Sequence, residues 1–266
     1  MRCHALARLP EMEKWEAEMA QTHNLVINFA DVKRGDVGLV GGKNASLGEM
    51  ISTLEPKGIL VPPGFATTSD AFRAYLIHND LNTAMSKELD ALAAGKISLQ
   101  TAGERVRALI LSGDWPKDTA DAILTQYRAL GKTSQETDVP VAVRSSATAE
   151  DLPDASFAGQ QETFLNVIGE AALLDACKRC YASLFTDRAI SYRTIQGFEH
   201  DQVALSVGVQ RMVRADTGGS GVMFSIDTES GFPDAVLINA AWGLGENVVQ
   251  GAVDPDEYQV FKPFLK

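Results

Sequence analysis

Cysteine is scarce. The 266-residue chain has three, an odd number with no disulfide framework, which points to a reducing compartment. Cys177 and Cys180 form a CxxC, but inside a stretch of helical periodicity, with no strand-to-helix turn before it and no second CxxC. With only Cys3 left over, a four-cysteine zinc site is excluded, and the pair reads as two reduced thiols one helical turn apart. Long apolar runs are missing too. No stretch of eighteen apolar residues exists, so no segment reads as a membrane-spanning helix. Met1–Pro10 carries two arginines but lacks the apolar centre of a secretory signal, and a cytoplasmic protein is expected. Cations are in deficit: 24 Lys and Arg face 35 Asp and Glu, a formal charge of −11. That excludes a general nucleic-acid binder, which needs clustered cations along a phosphate backbone. It does not exclude a nucleotide site, because two or three placed cations and a set of backbone N–H groups hold one triphosphate at any net charge. Histidine is sparse and scattered. His4, His23, His78 and His200 each read as a surface or satisfied residue, not a nucleophile.

What is present is ordinary for a globular chain: 45% apolar and 22% charged residues, enough for one sizeable core or two smaller ones. Residues 1–23 read as an extension with a short charged helix at Glu11–Ala20 and no assigned function. A strand at Asn24–Phe29 leads to the turn Gly41-Gly42-Lys43, followed by a helix from Asn44 to about Leu54. Thr67-Thr68-Ser69-Asp70 offers N-caps to a largely helical stretch. Gly95, Gly113 and Pro116 divide it into about four helices, with Gly131 as a C-cap and Lys132–Asp138 as a surface loop. Beyond Asp138 the pattern changes. Strands are expected at Val139–Val143 and Thr163–Val167, and helices at Glu170–Phe185 and Asp187–Gln196. Further strands are expected at Val203–Val213, Gly221–Ile226, Val236–Ala241 and Tyr258–Phe261. Short turns between successive strands imply an antiparallel sheet and an α+β fold. The expected division is a largely helical lobe at 24–132 and an α+β lobe at 139–266.

Four local patterns could carry chemistry. Gly41-Gly42-Lys43 opening a helix suits a phosphate, since glycine permits close approach and the helix N-terminus adds N–H donors. It is not a Walker A loop, because Val37 and Asn44 stand where glycine and Ser or Thr belong. Taken alone it fits a tight strand-to-helix turn with an exposed lysine equally well. Arg144, at the end of an apolar strand and before Ser145-Ser146, offers a bidentate fork; pairing with Glu150 or Asp151 is the structural alternative. Asp154–Thr163 is a long small-residue loop of the kind that covers ligands. Gln210-Arg211-Met212-Val213 ends a strand whose free backbone groups could read an adenine ring. Asp227, Glu229, Asp254, Asp256 and Glu257 could ligate Mg²⁺, although acidic turn residues are usually just solvated.

Together these segments resemble one family. Val40–Met50, Val61–Thr68, Ala142–Asn166, Leu184–Tyr192, Gly208–Arg214, Gly221–Gly231 and Ala241–Pro255 are similar, in the same order, to the N-terminal domain of the phosphoenolpyruvate synthases (pyruvate, water dikinases). The resemblance implies an ATP-grasp-like nucleotide binder, incomplete at its C-terminal end, in which two α+β lobes clamp ATP. It implies that Lys43 and Arg144 contact the phosphates and act in transfer. Gly159 and Thr163 would belong to the loop over the nucleotide, and Gln210 to the hinge strand near the adenine. In the family, ATP gives its β-phosphate to a histidine on a swivelling domain, leaving AMP and, after hydrolysis, orthophosphate. The histidine then phosphorylates pyruvate in a barrel domain. Those partner domains, and the residues that hold Mg²⁺, are expected downstream of residue 266, so no metal ligand is assigned here. Turnover by the 266 residues alone is not expected. The alternatives are the ATP domain of a rifampin-phosphotransferase-like dikinase, or a fragment that binds nucleotide without turnover.

Overall fold

The computed structural model describes residues 24–134, 136–148, 151–152, 155–156, 162–198, 200 and 202–265. The extension at 1–23 and its expected helix lie outside the described residues.

A five-stranded sheet organises the first unit, which extends to Met212. Its strands are β1 (Val26–Asn28), β2 (Gly64–Thr67), β3 (Val141–Ala147), β6 (Thr163–Val167) and β7 (Leu205–Arg211). A two-residue ladder, β4 (Asp151–Leu152) with β5 (Ala155–Ser156), stands apart from it. The order is β1-β2-β7-β3-β6 and every ladder is antiparallel, as the short turns imply.

Alternation sorts the strands into two faces. Phe65, Val141, Val143, Leu205, Val207 and Val209 point into the larger core. Helices α2 (Ser69–His78), α3 (Leu81–Ala93), α4 (Leu99–Ser112), α5 (Lys117–Ser134), α6 (Glu170–Ser183) and α7 (Asp187–Gln196) supply the rest of the helical part of this unit on that side. An aromatic group anchors the core. Tyr181 meets Phe72 edge-on at 5.0 Å, and Trp115 lies 5.0 Å from Tyr75. Each such pair contributes about 0.5–1.5 kcal/mol beyond its buried area. The opposite face carries one helix, α1 (Val37–Leu54), over a smaller core of Phe29, Val32, Val40, Ala45, Ile51, Val61 and Ala66.

Four helices lie between Ser69 and Ser134, as expected, but one break differs. Gly113 and Pro116 fall in a single connection, and the remaining break is at Asn79–Asp80, where Asp80 takes φ 52°. The Asn79 side chain fixes it, donating to Tyr75 O at 2.8 Å and to Asp114 O at 2.9 Å. Gly131 is not a C-cap; α5 runs through it to Ser134. Its lack of a side chain serves close approach instead, since a Cβ there would stand 2.4 Å from Glu136 O. Nor does the fold divide near residues 133–138. β1 and β2 pair into the same sheet as β3 and β7, and the boundary falls at Met212–Val213.

The second unit is a three-stranded antiparallel sheet ordered β10-β9-β8, from β8 (Gly219–Phe224), β9 (Ala235–Trp242) and β10 (Asp256–Phe261), with α8 (Gly245–Val249). Phe232 stacks on Phe261 at 6.3 Å, and Phe264 meets Phe261 edge-on.

Cys177 and Cys180 are wholly buried in the larger core, where loss of solvation pushes the Cys177 thiol up to about 12 and raises Cys180 as well. Because the thiolate is the reactive form, alkylation at both positions is expected to be about a hundredfold or more slower in the native chain than in urea. Peptide mass spectrometry of timed iodoacetamide labelling measures this; comparable native and unfolded rates would contradict the buried pair.

Candidate functional site

The expected site residues converge on the sheet face that carries α1. Arg144 is the one exposed residue of β3, whose other six positions are buried. It lies mid-strand, not at the strand end as the sequence suggests. In register, Arg144 stands opposite Thr163 on β6 and opposite Gly208 on β7. Residues directly opposite in an antiparallel pair share a face, so Arg144 and Thr163 lie side by side. Gln210 is on the same face two pairs further along, opposite Ala142 and Gly64.

Arg144 Nη1 lies 3.5 Å from Gln210 Oε1, and Gln210 Nε2 donates to Pro62 O at 3.0 Å. The buried Gln210 amide is therefore held between β3 and the residues before β2. Protein around the guanidinium lowers the Arg144 pKa through lost solvation, although part of the side chain reaches solvent. An arginine remains charged under such a shift.

One expectation changes here. The end of β7 is not an edge with free backbone groups: Arg211 N–H bonds Pro63 O at 3.0 Å and Met212 N–H bonds Pro140 O at 2.9 Å. β7 lies between β2 and β3, which its sequence alone cannot reveal. Thr163, the last residue of the expected loop, opens β6 where the strand is expected to begin. Gly159 lies outside the described residues, as do the side chains of Glu150 and Asp151 that could compete for Arg144.

Lys43 comes from α1, and the local geometry there was not anticipated. The Gly-Gly-Lys segment is not a strand-to-helix turn but a break within a helical segment, where Gly41 takes φ 75° and ψ 164°. That conformation is essentially restricted to glycine. The break rests directly on β3, since a Cβ at Gly41 would lie 2.3 Å from Ser146 Oγ and 2.5 Å from Ser146 O. Lys43 is exposed two residues beyond it. Ser146 is two residues from Arg144 on the same face, so the break brings Lys43's segment to the strand that carries the arginine.

Sequence reasoning missed the buried polar group beneath this arrangement. The Asn44 backbone N–H donates to Ser146 Oγ at 3.4 Å, and Asn44 Nδ2 donates to Val40 O at 3.0 Å and Ser206 Oγ at 2.9 Å. Ser206 Oγ in turn donates to Thr67 O, and Thr67 Oγ1 accepts from Val207 N–H at 2.9 Å. The available signal was Asn44 itself, the residue that breaks the Walker pattern.

Asp227 accepts from the N–H groups of Glu229 and Ser230, which hold its carboxyl below the usual range, as in an acidic turn. Among the described residues no three His, Cys, Asp or Glu side chains gather to hold a metal, and no helix is long and apolar enough to cross a membrane. His200 Nδ1 accepts from Arg193 Nε at 3.0 Å, and His78 is exposed at the end of α2.

Replacing Gly41 by alanine adds left-handed strain to a clash with backbone, so Gly41→Ala is expected to destabilise the chain by about 2–5 kcal/mol. Urea unfolding measures it; a shift below about 1 kcal/mol would mean that the break is not held as described.

Residues 37–266 match the family described as pyruvate phosphate dikinase, AMP/ATP-binding domain. The chain is 55% identical over 244 residues to the phosphoenolpyruvate synthase of Neisseria meningitidis serogroup B, covering 91% of this chain and 31% of that protein. It is 57% identical over 247 residues to that of Synechocystis sp., and 54% identical over 242 residues to that of Escherichia coli K12. Each alignment covers 91% of this chain and 30% of the relative. The chain thus spans about a third of the length of these curated relatives, and over that span it belongs to the pyruvate phosphate dikinase AMP/ATP-binding domain family.

Proposed function

We propose that this chain is the ATP-binding portion of a phosphoenolpyruvate synthase, with an ATP-grasp-like fold. The observation that carries the reading is the shared sheet face: Arg144, Thr163 and Gln210 lie within two strand pairs of one another, beside the helix break that presents Lys43. Arg144 is assigned to the phosphates as a fork of donors and Lys43 as a point charge. Thr163, and Gly159 before it in sequence, are assigned to the segment over the nucleotide. Gln210 is assigned to the adenine end of the site.

The reaction assigned to the whole protein converts ATP, water and pyruvate to AMP, orthophosphate and phosphoenolpyruvate, the β-phosphoryl group passing through a histidine. The partners are therefore ATP and the phosphohistidine and pyruvate-binding domains of such an enzyme. In phosphoryl transfer the protein works by positioning and by neutralising charge on the transferred oxygens. Arg144 and Lys43 suit both tasks. Mg²⁺ is the expected companion of ATP in this chemistry, but the described residues assemble no set of ligands for it, so it is given no residue and no step. A rifampin acceptor has no support in the relatives matched, which are named phosphoenolpyruvate synthases.

Titration calorimetry of the 266-residue chain tests the binding claim. ATP binding is expected to weaken by about tenfold to a hundredfold in Lys43→Ala and in Arg144→Ala, the loss of one charge-assisted contact each, with adenosine affinity little changed. The chain by itself is expected to release no AMP. Absence of ATP binding, or equal losses for adenosine and ATP, counts against the assignment. In the whole gene product, AMP release that depends on rifampin and not on pyruvate would overturn the acceptor.

A further inference from the structure

We infer that Asn44 is a positioning residue that holds Lys43 at the nucleotide. This rests on the reading of Lys43 as a phosphate contact.

The argument begins with the hydrogen bond that the helix break removes. In an unbroken helix the backbone N–H of Asn44 would donate to the carbonyl of Val40, four residues earlier. Gly41 turns the chain out of helical geometry between them, and the Asn44 N–H goes to Ser146 Oγ instead. Val40 O would then be a buried acceptor without its helical partner, an unfavourable state. The Asn44 side chain takes over. One Nδ2 proton goes to Val40 O and the other to Ser206 Oγ on β7. Both donors of the amide are used.

Space is reserved for that amide. A Cβ on residue 208 would lie 2.2 Å from Asn44 Oδ1, so only glycine admits the amide there. Gly208 also stands opposite Arg144. The same glycine thus seats the amide behind Lys43 and stands in register with Arg144. Asn44 itself is 2% exposed, within its own helix break and beyond reach of a ligand in the open. It acts on its neighbour. Asparagine alone among residues of this size offers two donors and an acceptor on one planar group, and aspartate offers no donor at all.

Two measurements on the 266-residue chain test the inference. In ligand-free protein, Asn44→Ala is expected to speed amide hydrogen exchange at Gly42–Ala45 by about tenfold or more, while exchange in α4 and α6 stays within about twofold. Unchanged exchange at Gly42–Ala45 overturns the inference whatever the nucleotide does. ATP titrations of Asn44→Ala, Lys43→Ala and the double variant form the second measurement. If Asn44 works through Lys43, Asn44→Ala weakens ATP binding by about fivefold or more in the parent and by less than about twofold in the Lys43→Ala background. Equal losses in both backgrounds overturn it. Ser206→Ala removes one partner of the amide and replaces Asn44→Ala in both arms if that variant does not fold. If the parent chain shows no ATP affinity, the assignment of Lys43 fails, and the exchange data alone decide whether Asn44 holds its segment.

Discussion

The break at Gly41 is the constraint on which the site depends. A helix laid flat on a sheet usually satisfies its own backbone and touches the strands through side chains only. Here the chain leaves helical geometry for one residue, and three groups must accommodate it. Ser146 receives the displaced N–H, the Asn44 amide replaces the missing donor, and Gly208 leaves room for that amide. Asn44 belongs to the broken helix itself, whereas Ser146 and Gly208 lie on β3 and β7, more than a hundred residues further along the chain. A buried polar group of this kind stabilises only when fully satisfied. That requirement makes the register of β3 and β7 against α1 specific in a way apolar packing would not.

The sheet order makes this possible and has a cost. β7 must insert between β2 and β3, so residues 208–210 pair with residues 64–66 on one side and residues 205–211 with residues 141–147 on the other. The central ladders therefore close only after most of the unit has been made. Such pairing brings together residues far apart in the chain, which slows folding relative to a helical bundle of equal size. In return, residues from α1, β3, β6 and β7 meet on one rigid surface. A site on strands is held more closely than one on loops.

Much of this was legible in the sequence, and the failures share a physical cause. Helices and strands were readable because their apolar period is local: Thr163–Val167 and Asp187–Gln196 match their expected bounds. The antiparallel, α+β character followed from short turns. What could not be read was anything fixed by a distant partner. Gln210 looked like the end of an edge strand because its neighbours on both sides lie more than sixty residues away. Gly131 resembled a cap because its requirement, the approach of Glu136 O, is invisible to a pattern of glycine after an apolar run. Gly41 resembled a strand-to-helix turn for the same reason. Lys43, Arg144, Thr163 and Gln210 were identified by their likeness to a family, and the shared face of the last three is a property of the register alone.

The two cations also differ in kind, and their settings explain the difference. Arg144 stands mid-strand in β3, whose other positions are buried, and lost solvation pulls its pKa down. A lysine begins about two units lower and discharges more readily under such desolvation, whereas a guanidinium keeps its charge. Lys43 stands exposed just past the helix break, and an ammonium on a long flexible stem suits a phosphate as a point charge. The arginine therefore fits the fixed position and the lysine the adaptable one. With a net charge of −11 on the chain, attraction of an anionic nucleotide cannot come from the overall field. It has to come from charges held at short range, the task proposed for Lys43 and Arg144.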